Sequence, residues 1–376
     1  MSIKTEFVDA LSSRVLMLDG AMGTMIQRAG LSEEQFRGSR FASHHCNLAG
    51  CNDLLALTAP DVIEAIHREY FAAGADVVET DSFNANGISL ADYSLQDYAY
   101  EINLAAATVA RRAADSFSTP GRRRYVAGSV GLSNRSLSIS PDIENPAARA
   151  TDWDTMVEAY RPQFRGLIDG GVDFILIETI FDTLNAKAIA ATAREVMAEK
   201  GVELPILFSI TLTESGRVLS GQTIEAFIAS VEHFRPAAIG LNCGFGASSM
   251  LAHYRRLAEC APCPVFLYPN AGLPNEMGQY DETPEKMVAD LEQILKDGSL
   301  NMIGGCCGTT PQHIAMIAER VRGLKPRVPQ PAAERLTLSG LEMAEIVPER
   351  NFVNIGERCN VAGSRKFLRL INEKQY

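Results

Sequence analysis

Short apolar runs rich in β-branched residues recur along the chain, at Val15–Leu18, Val77–Thr80, Tyr125–Val130, Phe174–Glu178, Ile206–Thr211, Ala238–Leu241, Val265–Tyr268 and Asn301–Gly304. Longer segments with helical periodicity separate them. Between the first two runs, Thr58-Ala-Pro-Asp61 reads as a helix start, with a Thr cap and an acid three residues on. Val62, Ile63, Ile66 and Tyr70 then share one helical face. Two helix-to-strand junctions read Gly-small-Asp, at Gly74-Ala-Asp76 and Gly171-Val-Asp173, where glycine suits a left-handed C-terminal cap. Apolar strands alternating with helices predict a parallel sheet covered on both faces. Eight such units predict a closed (β/α)8 TIM barrel rather than an open doubly wound sheet. A length of 376 residues suits one barrel of about 250 residues with insertions.

The pattern changes after residue 324. Residues 1–324 read as the barrel and 325–347 as an extended linker, because Lys325-Pro-Arg-Val-Pro-Gln-Pro is proline-rich and aperiodic. Within residues 348–376 a further strand is expected at Phe352–Ile355. Some twenty residues beyond it bury no core of their own. The tail therefore reads as a docking arm or as the start of a second, truncated domain.

Charge and cysteine content narrow the partners. With 35 basic and 46 acidic residues the net charge is −11, the wrong sign for tracking nucleic-acid phosphates or an anionic membrane. No run approaches the ~18–20 apolar residues of a membrane span, and the first ten residues do not resemble a signal peptide. Eight cysteines are too few for a disulfide scaffold of this length, so reduced thiols and a cytoplasmic location are expected.

In a barrel of this kind chemistry gathers at the C-terminal ends of the strands. Those ends carry Asp19-Gly20, Asp81, Glu178, Asn242-Cys243, Pro269-Asn270 and Gly305-Cys306-Cys307-Gly308. Cys243, Cys306 and Cys307 thus fall on one rim, and three thiolates with one exchangeable position suit a catalytic zinc. Adjacent side chains in an extended strand point to opposite faces, so Cys306 and Cys307 need the unusual dihedrals that Gly304, Gly305 and Gly308 permit. Alone, the pair also fits two small buried apolar side chains. His44-His45-Cys46 with Cys51 matches no common ligand spacing and reads as a polar loop. Cys260-Ala-Pro-Cys263 has redox spacing but precedes strand seven, at the opposite end of the barrel. Gly20, Ala21, Met22 and Gly23 lead into a helix expected at Met25, and their N–H groups suit a carboxylate. Asp19 and Glu178 suit an ammonium group. Together these features describe a site for a free amino acid beside a thiophilic metal.

Several segments resemble cobalamin-dependent methionine synthase: Asp19-Gly-Ala-Met-Gly-Thr24, Ile177-Glu-Thr-Ile-Phe-Asp-Thr-Leu-Asn-Ala186, Gly240-Leu-Asn-Cys243, Pro269-Asn-Ala-Gly-Leu-Pro-Asn275 and Gly304-Gly-Cys-Cys-Gly-Thr-Thr-Pro-Gln-His313. The barrel resembles the homocysteine-binding part of that family. Asn354–Asn360 and Gly363–Arg369 resemble the opening of its methyltetrahydrofolate-binding barrel. The resemblance implies one zinc ion on Cys243, Cys306 and Cys307, with homocysteine sulfur at the fourth position. Asn270 or water is the expected fourth ligand before substrate arrives. It also implies a methyl group delivered by methylcobalamin on another module. Thr80-Asp-Ser-Phe83 and Gly131-Leu-Ser-Asn-Arg135 depart from the family's Thr-Asn-Thr-Phe and Gly-Pro-Thr-Asn-Arg, which leaves the role of Asp81 open. Three other readings share the cysteines: a cobalamin-independent homocysteine methyltransferase with a sulfonium or betaine donor, a structural zinc site, and a vicinal-disulfide redox sensor.

Overall fold

The computed structural model describes residues 3–330, 335–354, 356 and 360–375. Eight parallel strands form the barrel: β1 Leu16–Met17, β2 Val77–Glu79, β3 Tyr125–Gly131, β4 Phe174–Ile180, β5 Ile206–Ile210, β6 Ala238–Gly246, β7 Val265–Asn270 and β8 Met302–Ile303. Sequential strands pair from β2 to β8, β8 pairs with β1, and a Leu18–Val77 bridge closes the ring. Each of the eight expected strands is present, and the shifts are at their ends.

The apolar residues divide into two layers, as a barrel requires. Leu16, Val77, Tyr125, Phe174, Leu207, Phe266 and Met302 fill the interior, while alternate residues such as Met17, Val78, Val126 and Ile175 pack outward against the helices. The N-terminal mouth is plugged by a helix, Ile3–Ser13, that precedes the strand–helix alternation and is not among the elements expected from it. Its Phe7 stacks on Phe174 with ring centroids 4.2 Å apart.

The Gly-small-Asp junctions behave as expected. Gly74 and Gly171 take φ of +112° and +86°, and the aspartates after them lie buried at the N-terminal end of the barrel. Asp173 accepts the Val126 N–H at 2.7 Å and pairs with Arg123 at 2.6 Å. The expected Thr58 cap is not formed. Thr58 ends a preceding short helix with its hydroxyl on the Leu54 carbonyl, and the next helix, Pro60–Ala72, opens on proline without a side-chain cap.

Inside that helix His67 is fully buried, with neither ring nitrogen hydrogen-bonded. Desolvation pushes its pKa down to about 4. Because the folded value lies below the ordinary one, the unfolded chain binds the extra proton, and stability is lost as pH falls from about 6.5 towards 4. His67 alone should cost about 2–3 kcal/mol between pH 7 and about 4.5. Urea unfolding of His67→Leu should show that much less acid sensitivity than the parent. Equal sensitivity in both would show that His67 is hydrated or paired.

The stretch expected as an extended linker includes an antiparallel hairpin, β9 Leu336–Ser339 and β10 Met343–Ile346. Ser339 Oγ donates to the Ala226 carbonyl at 2.7 Å, and Thr223 N–H donates to the Leu341 carbonyl at 3.0 Å. These bonds fix the hairpin to the helix Ile224–Val231. No strand forms at 352–354, where Phe352 is 84% exposed and, among the described residues, has no neighbouring strand to pair with. Ile355 lies outside the described residues, as do Glu357, Arg358 and Cys359 of the Asn354–Asn360 segment.

Candidate functional site: a cysteine cluster at the barrel rim

The three rim cysteines converge. One sulfur from each of Cys243, Cys306 and Cys307 lies within 4.8 Å of the others. Two distortions aim Cys243. Its φ is +56°, and β6 slips register against β7 between Asn242 and Gly246, so the strand bulges at the cysteine. Asn242 holds that bulge. Its Oδ1 accepts from Ser209 Oγ at 2.7 Å and from Thr179 N–H at 3.1 Å, while its amide donates to Thr179 Oγ1 at 2.8 Å. The three residues of Asn-Cys-Gly thus divide the work. The asparagine anchors the bulge, the cysteine points inward, and Gly244 tolerates a φ of +77°.

The vicinal pair is turned differently from expectation. Only Gly308 of the three neighbouring glycines has a positive φ, +81°. Gly304 and Gly305 provide room instead. A Cβ on Gly304 would lie 2.7 Å from Leu18 Cβ, and one on Gly305 would lie 2.5 Å from Thr309. Thr309 Oγ1 donates to the Cys306 carbonyl at 2.7 Å and accepts the Ala21 N–H at 3.1 Å, which ties the cysteine turn to the Gly20–Gly23 segment. Gly305→Ala should therefore displace Thr309 and cost about 1–3 kcal/mol, as overpacking does. Denaturant unfolding measures it, and unchanged stability would show that the turn has slack.

The protons on the cluster are unevenly shared. Hydrogen bonds from the Cys306 and Cys307 thiols hold the Cys243 thiol down to about 3, and that thiolate in turn pushes both donors up. The Asn270 amide also donates to Cys243, while Asn270 Oδ1 is buried without a partner. Tyr280, from the loop after β7, donates to Cys307.

A pocket of about 470 Å³ opens beside the sulfurs. Gly20, Ala21, Met22 and Gly23 form one wall, where the helix Met22–Ala29 begins three residues earlier than expected. Glu178 lines another wall. Its Oε2 accepts from Tyr268 at 3.0 Å and its Oε1 from Ser129, while burial raises its pKa to about 7. Asp19 lies just behind Gly20, 2% exposed; its Oδ2 accepts the Glu79 N–H at 3.1 Å and its Oδ1 has no partner. Burial, with the charge of Glu178 added, raises the Asp19 pKa well above the carboxylate range.

Glu79, at the end of β2, is a pocket residue that the sequence pattern did not single out. Its Oε1 is buried and unpartnered, and burial raises its pKa in the same way. Asp81 and Asp53 also line the pocket, both raised by burial, Asp53 to about 6. Among the described residues lining the pocket there is no lysine, arginine or histidine.

The other cysteine groups sit apart. Cys260 ends a helix at the N-terminal end of the barrel with its thiol on the Arg256 carbonyl, and burial raises Cys260 to about 11 and Cys263 to about 12. His44, His45 and Cys46 bring ligand atoms within 4.8 Å of one another, yet His44 Nε2 is engaged with the Tyr93 carbonyl at 2.8 Å.

Comparison with known proteins gives this arrangement a lineage. Escherichia coli homocysteine methyltransferase MmuM in its metallated form superposes with a TM-score of 0.64 at 22% identity, over 85% of this chain and 100% of that one. Its oxidised form gives 0.64 at 22% identity, over 81% of this chain and 96% of that one. These likenesses establish a common fold. Residues 16–321 match the homocysteine S-methyltransferase family, from β1 through the helix that follows β8. The chain belongs to the homocysteine S-methyltransferase family and is a methyltransferase.

Proposed function

We propose that the chain binds homocysteine with its sulfur at Cys243, Cys306 and Cys307, on one zinc ion, and presents it to the methyl group of methylcobalamin carried by another module. The observation that carries this reading is the convergence of three sulfurs beside a wall of carboxylates with unpartnered oxygens. The donor set fits zinc. The two thiols that keep their protons, Cys306 and Cys307, would release them to a divalent cation beside the Cys243 thiolate, and three sulfur ligands would leave one position for substrate. When bound, the zinc supplies a site at which the substrate thiol, pKa ~8.5 when free, is held as thiolate at neutral pH.

The chain's own residues do the rest. The first-turn N–H groups of the helix Met22–Ala29 receive the substrate carboxylate. Glu178 and the free Oδ1 of Asp19 receive its ammonium group, which relieves the mutual repulsion among Asp19, Glu79 and Glu178. Held at both ends, the amino acid directs its sulfur to the cysteine rim. Asn270 donates to Cys243 and keeps that sulfur oriented. Asn354–Asn360 and Gly363–Arg369, with their likeness to a folate-binding barrel, support methylcobalamin as the donor.

The cation-free, carboxylate-lined pocket favours one other reading, a positively charged sulfonium donor bound in the pocket itself. Turnover assays separate the two. Homocysteine should be methylated from methylcobalamin and not from S-methylmethionine; the reverse preference would assign the chain to the sulfonium branch.

A further inference from the structure

A second cleft, of about 800 Å³, opens at the other end of the barrel, next to the start of β1 and the C-terminal ends of the helices Pro60–Ala72 and Pro311–Val321. Its charge opposes that of the protein. Arg14, Arg122, Arg124, Arg322 and Lys325 line it against two carboxylates, Asp76 and Glu319, on a chain of net charge −11.

The cations are under-compensated. Asp76, 1% exposed, pairs with Arg14 at 2.6 Å, Arg122 at 2.8 Å and Arg124 at 3.2 Å. Its Oδ2 also accepts the Met17 N–H at 3.0 Å. One carboxylate therefore serves three guanidinium groups. Arg124 is only 8% exposed, and its Nε has no hydrogen-bond partner. Burial and the charge of Arg122 lower its pKa to about 10, the direction expected of a cation short of counter-charge. Arg322 and Lys325 form no ion pair among the described residues. Helix C-termini face this cleft and repel anions, so the side chains alone would hold one.

We propose that this cleft binds a small, multiply charged oxyanion of the phosphate or carboxylate class, at a site separate from the cysteine rim. Arginine forks match both oxyanions in bidentate geometry, and a partly buried site screens the attraction little. The cleft lies within the ~300–1,000 Å³ typical of small-ligand sites.

Calorimetry on the full chain at low ionic strength tests it, with inorganic pyrophosphate in one arm and tricarballylate in the other. Saturable one-to-one binding of either is expected, and the stronger arm identifies the class. Arg322→Ala combined with Lys325→Ala, both remote from the homocysteine pocket, should weaken binding at least about tenfold. Arg365→Ala, on the tail, should leave it unchanged. No saturable heat in either arm would overturn the proposal, and so would equal affinity in the parent and the double variant.

Discussion

Replacing Cys243, Cys306 or Cys307 by serine is expected to strip the chain of zinc and abolish homocysteine methylation. Altering a residue that merely orients a metal ligand costs about 10–100-fold in affinity, so loss of a ligand itself should exceed that range. Serine is nearly isosteric but stays protonated at neutral pH and supplies no thiolate, so the fold should survive while the donor set fails. Cys260→Ser and Cys46→Ser should retain the metal, since Cys260 lies at the far end of the barrel and Cys46 belongs to the separate His44–Cys46 group, where His44 Nε2 is engaged with the Tyr93 carbonyl. Metal analysis of the purified variants, with circular dichroism to confirm folding, makes the comparison. Zinc lost from the Cys46 or Cys260 variant, but kept by the three rim variants, would place the metal elsewhere.

The next largest effect is expected at Asp19 and Glu178, the proposed partners of the substrate ammonium group. Asp19→Asn and Glu178→Gln should each weaken homocysteine binding roughly ten- to hundredfold, equivalent to the ~1.5–3 kcal/mol of a hydrogen bond to a charged group, with zinc retained. The amides keep the size of the acids but present no negative charge. At Glu178 the change also unsettles the bonds from Tyr268 and Ser129. At Asp19 it places an amide beside the Glu79 N–H. Calorimetric titration of the zinc-loaded variants gives the affinities. Two unchanged affinities would show that the amine is held by other groups, with Glu79 and Asp81 the next to test.

The barrel is legible in the sequence because each β strand is a compact apolar run and each helix a longer periodic one. That rule locates all eight strands and so sets Cys243, Cys306 and Cys307 on one rim. Features that rest on distant contacts are not legible. Ile3–Ser13 does space Ile3, Phe7 and Leu11 at helical intervals, but it lies outside the strand–helix alternation that marks the barrel, and only the barrel mouth explains why Phe7 is buried. The alternation in Leu336-Thr-Leu-Ser339 is a strand signal that the nearby prolines obscure. Thr58 resembles a cap because its neighbours fit the pattern, but Pro60 already supplies the helix start. At the site, the glycines around Cys306 suggest backbone freedom, whereas Gly304 and Gly305 act by leaving room for Leu18 and Thr309. Glu79 is within reach of the same strand-end rule that finds Asp81. Tyr280 sits in a polar loop whose sequence gives no sign that it reaches Cys307.

If the cysteine cluster receives the substrate sulfur, X-ray absorption at the zinc edge will register its arrival. Zinc-loaded protein should show three sulfurs and one nitrogen or oxygen around the metal, changing to four sulfurs on adding saturating homocysteine. Zinc ligands left unchanged by saturating homocysteine would reduce the cluster to a structural role and rule out sulfur coordination of the substrate.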